Sequence, residues 1–459
     1  MYQNTLKAQV RGVGIGSAVA CGAMTTAMRA TQTVRLGVLG CGTVGASFCE
    51  LIAKQADSIE TRTGLRFEVT RIAVRDTTKS RPGIDPALLG DDAQAVVTAD
   101  DVDVVIETMG GVEPTRELVL SALAAGKPVV TANKELLAIH GPELHAAADE
   151  SGVDLALEAS VAAGLPFIRA LRESLVGEQI TRVMGIVNGT TNFILSQMAE
   201  HGADYGVALA EAQDLGFAEA DPTADVGGFD AGSKAAIIAT LAFGEAVLAD
   251  DVHVEGIESI TAEDISNAER LGYVIKLLAV VERNDDGSIA ARVHPTMVPA
   301  AHPLASVRDS FNAVYVEGFG IDKIMFYGRG AGGHPTAAMM VGDAIDAGRN
   351  LTTGCSRSVG ALPPATIRTI DDVTTAFYVG LDALDKPGVL AEIADAFGQR
   401  NVSIQSMEQH SMEHGEGDGA RLVFITHEAL ERDLRATLDD LKGLDAVKDV
   451  GQVLRVIGD

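Results

Sequence analysis

Tryptophan is absent from the chain, and aromatic residues make up only 4% of it. A core without large rings must be built from Ala, Val, Leu and Ile, and the 47% hydrophobic content supplies enough of them. Cysteine is also scarce. Cys21, Cys41, Cys49 and Cys355 form no C-x-x-C pair, which argues against a structural zinc site and for reduced thiols in a cytosol. Positive charge is the third shortage: 36 Lys and Arg face 64 Asp and Glu, for a net charge of -28. Such a chain repels nucleic-acid phosphates and anionic membrane surfaces, so neither is expected as a partner. Nor does any stretch reach the ~18 uninterrupted apolar residues of a membrane span. These absences read as a cytoplasmic protein.

With 459 residues the chain is too long for one core, and two to four domains are expected. Residues 1–32 stand apart. Lys7, Arg11 and Arg29 lie there with no Asp or Glu, and the run over 12–24 is more weakly apolar than a signal peptide. The segment reads as a disordered extension or an early start, with Met24 or Met28 as alternative starts.

Strands and helices alternate through 33–165, which predicts an α/β unit: a Rossmann doubly wound parallel sheet with helices on both faces. Its strands are expected at 34–39, 67–74, 103–107, 128–131 and 153–158. Past Gly164 the rhythm changes to a second α+β unit over 166–333, to which the resemblance named below gives the catalytic and dimerisation roles. Helices at 204–215 and 230–248 and strands at 180–187, 289–298, 312–316 and 323–328 are expected there. A helix at 336–347, within 334–349, returns to the first domain. Residues 350–369, without clear period, read as a linker. Over 370–459 the order β-α-β-β-α-β predicts a ferredoxin-like domain of its own.

The turn Gly40-Cys41-Gly42-Thr43-Val44-Gly45 sits between a strand and a helix, the context that gives the glycine pattern meaning. Gly40 permits the tight turn, Gly42 lets a pyrophosphate approach, and Gly45 lets helix and strand pack closely. The helix start offers N–H groups to phosphate. Arg75 and Asp76 close the second strand, where a dinucleotide ribose is read. Asp76 suits a ribose hydroxyl and NAD; Arg75 suits a 2′-phosphate and NADP. The reading leans to NADP.

Glu219, Asp221 and Asp225 lie in a loop before Asp230 and Lys234, which share a helix face at four-residue spacing. Spacing alone fits a surface ion pair beside an Asp-rich capping loop. A resemblance changes that weight. From about Val34 to Arg349 the chain resembles the homoserine dehydrogenases in six ordered blocks: 40–45, 108–111, 131–134, 158–166, 188–192 and 219–234. The resemblance implies reversible NAD(P)-dependent hydride transfer between L-homoserine and L-aspartate 4-semialdehyde. Lys234 becomes the proton donor, a task an ammonium suits. Lys134 stands where cofactor meets substrate, to assist proton transfer or contact the nicotinamide ribose. Glu219, Asp225 and Asp230 hold the substrate, and Thr108, Gly216 and Gly332 touch the cofactor. Glu158, Val161, Ala163 and Leu165 match a loop whose main-chain oxygens wrap a monovalent cation, typically sodium.

The tail resembles an ACT domain through 384–390 and 401–404, with Asp385, Gly388, Val389, Asn401 and Ile404 at the regulatory positions. Such domains pair and bind amino acids. The resemblance implies threonine as effector and a homodimer or homotetramer. Deleting 370–459 is then expected to abolish the threonine response while activity survives. Two rivals remain: an amino-acid-sensing regulator on an inactive Rossmann scaffold, and an aspartate-semialdehyde dehydrogenase. The second needs a nucleophilic Cys in the catalytic half, and none lies between Cys49 and Cys355.

Overall fold

The computed structural model describes residues 31–411 and 419–458, so most of the 1–32 segment lies outside the described residues. The first sheet is parallel throughout. Its strands are β1 (Gln32–Leu39), β2 (Leu65–Ala73), β3 (Leu89–Gly90), β4 (Val104–Glu107), β5 (Val129–Thr131) and β6 (Leu155–Ala156), in the order β3-β2-β1-β4-β5-β6. Helices cover both faces, so the strands are apolar in both directions. On one face Leu36, Val38 and Ile106 meet Phe48, Ile52 and Met340. On the other, Val105 and Val129 meet Leu118, Val119 and Leu136. The strand expected across 153–158 shrinks to β6 because Glu158–Ser160 winds into a 3-10 turn.

The second sheet follows with β7 (Ile180–Ile186), β8 (His253–Val254), β9 (Tyr273–Arg283), β10 (Ile289–Pro299), β11 (Phe311–Gly318) and β12 (Asp322–Arg329). The helix expected at 230–248 is Phe229–Phe243, stopped by Gly244 at φ +69°. Helix Ala262–Arg270 and strand β9 have no counterpart in the sequence reading. The helix expected at 336–347 runs Gly333–Thr353, overlapping the start of the expected linker, and packs on helix Thr43–Thr63.

The tail contributes β13 (Thr374–Leu384), β14 (Ile404–Ser411), β15 (Gly419–Thr426), β16 (Ala429–Leu430) and β17 (Val447–Val456). Its strands run β17-β13-β15-β14, all antiparallel, with helices Val389–Gln399 and Glu431–Lys442 on one face. That is the ferredoxin-like plan. The tail is not detached, however. β17 pairs in parallel with β10 at Thr296–Arg455 and Met297–Val456, so one mixed sheet runs β12-β11-β7-β9-β10-β17-β13-β15-β14. Its other face packs on the catalytic core through Tyr378, Ile425 and Leu454. Among the described residues, no helix is long and apolar enough to cross a membrane.

Candidate active site

The glycine turn closes as its residues require. Gly40 takes φ +89°, and a Cβ there would stand 2.9 Å from Thr108 O. A Cβ on Gly45 would lie 2.5 Å from Gly40 O, whereas one on Gly42 would meet nothing within 4 Å. The turn is therefore packed beneath and open above. Thr43 and Val44 start the following helix, whose N-terminus has no side-chain cap and no acidic residue in its first turn. Its N–H groups are left for an anion, which fits a dinucleotide pyrophosphate. Thr108 Oγ1 donates to Leu39 O and Gly40 O, tying the next loop to the turn. Gly332, at φ +124°, precedes the helix that packs beside this one, and Gly216, at φ +74°, stands exposed after helix Tyr205–Asp214. Arg75 is exposed at the end of β2, and Asp76 is occupied by the N–H and hydroxyl of Thr78. The cation that reaches the turn is Arg81, whose Nε donates to Cys41 O at 3.1 Å. No spacing rule pointed to it.

A buried carboxylate joins this turn to the substrate side. Glu107, at the end of β4, accepts from Met109 N (2.7 Å), Gly110 N (3.1 Å) and Thr131 Oγ1 (2.5 Å). Burial pushes its pKa up. Asn133 then bridges the two loops. Its Nδ2 donates to Gly111 O at 2.7 Å, and its Oδ1 caps helix Lys134–Ser151.

Lys134, first in that helix, makes an ion pair with Asp230 Oδ1 on the catalytic unit. Lys234 Nζ donates to Asp230 Oδ2 and to Val187 O, both at 2.7 Å. Asp230 and Lys234 are 6% and 9% exposed, so the pair is interior and not a surface bridge. Burial would raise the Asp230 pKa, but the two ammonium groups outweigh it and hold it below the ordinary carboxylate value. Lys234 is shifted down, chiefly by burial and also by Lys134, with Asp230 opposing. Lys134 moves the other way, because Asp230 overcomes its partial burial. Asn188, quoted in the sequence only as part of a block, proves central. Its Nδ2 donates to Asp225 Oδ1 (2.7 Å) and Asp230 Oδ2 (2.8 Å). Glu219 is exposed on the loop, its main-chain oxygen held by Gln213. Asp221 is turned away onto Thr223.

In the 158–165 loop, the Glu158 carboxylate is spent on Ile168 N and Arg169 N, leaving its main-chain oxygen as the possible ligand. Burial and nearby Asp343 push Glu158 up to about 7, and burial pushes Asp343 up to about 6. Ala162 holds φ +47°, Ala163 N donates to Gly330 O, and Leu165 O accepts from Phe167 N. No cluster of three acidic, His or Cys side chains suited to a metal occurs among the described residues. A cation here would depend on carbonyls. In the tail, Gly388 (φ +97°) caps the helix that buried Val389 opens. Exposed Asp385 accepts from Gln409, Asn401 sits at φ +58°, and Ile404 starts β14.

A doubly wound nucleotide fold, joined by Lys134 to a buried lysine–carboxylate cluster, defines a dinucleotide-dependent oxidoreductase. Three domain models match the chain: homoserine dehydrogenase NAD binding domain over residues 40–158, homoserine dehydrogenase over 166–345, and ACT domain over 377–446. A homoserine dehydrogenase of Corynebacterium glutamicum is 49% identical over 431 residues, covering 93% of this chain and 96% of its own. A solved homoserine dehydrogenase structure from Thiobacillus denitrificans matches with a TM-score of 0.88 at 39% identity, covering 93% and 98%. A hyperthermophilic archaeal homoserine dehydrogenase in complex with NADPH matches at 0.60 and 29%, covering 70% and 98%. The chain belongs to the homoserine dehydrogenase family and carries a C-terminal ACT domain.

Proposed function

We propose that Lys234 gives the proton to the aldehyde oxygen when L-aspartate 4-semialdehyde is reduced to L-homoserine, and takes it back in the reverse reaction. The nicotinamide nucleotide, when bound on the Gly40–Gly45 turn, supplies the hydride chemistry. One observation carries the reading: a buried ammonium with two of its three protons committed, to Asp230 and Val187 O. The third is left for a carbonyl oxygen, and the charge beside it stabilises the negative charge that grows there. Asp230 holds Lys234 in place, and Lys134, paired with the same carboxylate, stands at the junction of cofactor and substrate to assist proton transfer or contact the nicotinamide ribose. Since Asp230 serves two lysines, Glu219 and Asp225 take the larger part in holding the substrate ammonium. NAD(P)H oxidation with aspartate semialdehyde tests this. Lys234→Ala is expected to lose at least ~100-fold in turnover, the low end for a lost acid–base group. Retained turnover would refute the assignment.

The cofactor preference is for NADP, read from exposed Arg75 at the end of β2. Thr108, Gly216 and Gly332 complete the cofactor contacts. A sodium-like cation is held by the main-chain oxygens of Glu158, Val161, Ala163 and Leu165 and steadies the domain junction, without taking part in chemistry. The turned backbone at Ala162 supports it. Threonine is the effector. Its carboxylate fits the helix start at Gly388, with Asp385, Asn401 and Ile404 around it. The chain works as a cytoplasmic homodimer or homotetramer. Free edge strand β12, with exposed Ile324 and Tyr327, supports pairing with a second copy.

A further inference from the structure

The last strand of the tail ends beside the turn that carries the substrate carboxylates. Arg455 on β17 is buried and shared between two acids. Its NH1 and NH2 donate to Glu255 at 2.9 and 2.8 Å, and its Nε and NH2 donate to Glu431 at 2.9 and 2.8 Å. Glu431 opens a helix of the tail; Glu255 belongs to the catalytic unit, just after β8. His253 Nε2 lies 2.7 Å from Glu255 Oε1 and restrains it further.

The backbone behind Glu255 has no slack. Its N–H donates to Val293 O, and Ile257 N donates to Val226 O, both at 2.8 Å. A Cβ on Gly256 would lie 2.4 Å from Val226 O and 2.8 Å from Gly227 Cα. A Cβ on Gly228 would lie 3.1 Å from Glu255 O. Gly228, at φ +84°, caps the helix of Asp230 and Lys234, and Asp225 lies in the same turn. Contacts this close transmit a shift and do not absorb it.

We infer that Arg455 and Glu255 form a strut through which the tail domain positions the Asp225–Lys234 segment. Neither touches substrate; both are positioning residues. The seam between β10 and β17 spans only Thr296–Arg455 and Met297–Val456. Arg455 lies in that seam, so its bidentate guanidinium locks Glu255 to the last strand of the tail with little play. The inference rests on the assignment of Lys234 and Asp230 to the reaction site.

Four variants of the full chain test it, assayed with aspartate semialdehyde and NADPH. Glu255→Gln cuts the strut on the catalytic side while Arg455 keeps Glu431. Glu431→Gln removes the same charge from the same guanidinium on the tail side. The expected result is a kcat about tenfold lower for Glu255→Gln, with KM for the dinucleotide unchanged, and a kcat within about twofold for Glu431→Gln. Arg455→Lys keeps the charge but loses the fork, and falls between them. Equal losses in the two glutamine variants would reduce the network to general stability and overturn the strut. So would a wild-type kcat for Glu255→Gln. Lys234→Ala runs beside them: if it keeps full turnover, the site assignment falls and the strut with it. If it is inactive while Glu255→Gln and Arg455→Lys are unimpaired, only the strut falls.

Discussion

Asn188 can face its neighbours in one way. Its Oδ1 accepts from Thr191 N and Thr191 Oγ1 at 2.8 and 2.9 Å, which turns both amide protons toward Asp225 and Asp230. That amide lets two carboxylates share a small space, and the carboxylates oppose the downward shift that burial imposes on Lys234. The balance has a readable consequence. With Lys234 as the proposed proton donor, reduction of the aldehyde needs the ammonium form, so its rate is expected to fall as pH rises through the Lys234 pKa. Burial sets that limb below 10.5, the ordinary lysine value. Oxidation of homoserine needs the neutral amine and rises through the same limb. Asp230→Asn removes the anion that opposes the shift, so both limbs move to lower pH. A pH profile of kcat in each direction, wild type against Asp230→Asn, checks this; limbs that stay put would separate Lys234 from the proton transfer. At this scale the sequence was half legible. The four-residue spacing placed Asp230 and Lys234 on one helix face, but burial, which turns a weak surface pair into a reactive cluster, has no signature in spacing. Asn188 was hidden for a different reason: its partners are 37 and 42 residues away.

Helix starts show the division of labour between elements. The helices at Lys134 and Gly189 are capped by Asn133 and Asn188, whereas the one after the glycine turn is left bare for phosphate. The loops between these starts hang on Glu107. Removing its side chain strands the buried Thr131 Oγ1 and the less buried Met109 N and Gly110 N together. Glu107→Ala is therefore expected to cost roughly 1–3 kcal/mol of stability for the unpaired groups. It should also raise KM for the dinucleotide, since Thr108 lies on the freed loop. Thermal melts and cofactor titrations measure the two effects; a lower melting temperature with unchanged KM would make Glu107 a packing residue only. The glycine turn was legible because it is local: a positive φ asks for glycine. Strand β9 was not. The stretch Tyr273–Arg283 is buried on both faces along most of its length, so it shows no alternation and cannot be told from a helix by period. Helix 230–248 was overdrawn because its apolar stripe continues past Gly244, where the backbone turns out.

Across the whole molecule, the consequential feature is the joined sheet, and no single segment could have announced it. The sequence described the tail well as a unit, because β-α-β-β-α-β is written in local periods. Its attachment rests on β10 and β17 meeting across more than 150 positions, at Thr296–Arg455 and Met297–Val456. Tyr378 adds a second tie, its hydroxyl accepting from Asn267 Nδ2 at 3.2 Å. This alters the outcome of removing 370–459. A free-standing sensor would leave with its threonine response and nothing else. Here its loss bares the edge of β10, uncovers the core beneath Ile425 and Leu454, and leaves Glu255 without its cation. An exposed edge and apolar face favour self-association. The truncated chain is expected to melt lower, associate, and lose turnover together with any response to threonine, the proposed effector, which in the full chain is expected to lower kcat or raise half-saturation. Melting, sedimentation and kcat on both chains decide it. A truncated chain that stays monodisperse with full turnover would show that catalysis draws no support from the tail, and the short β10–β17 seam would then be contact without consequence.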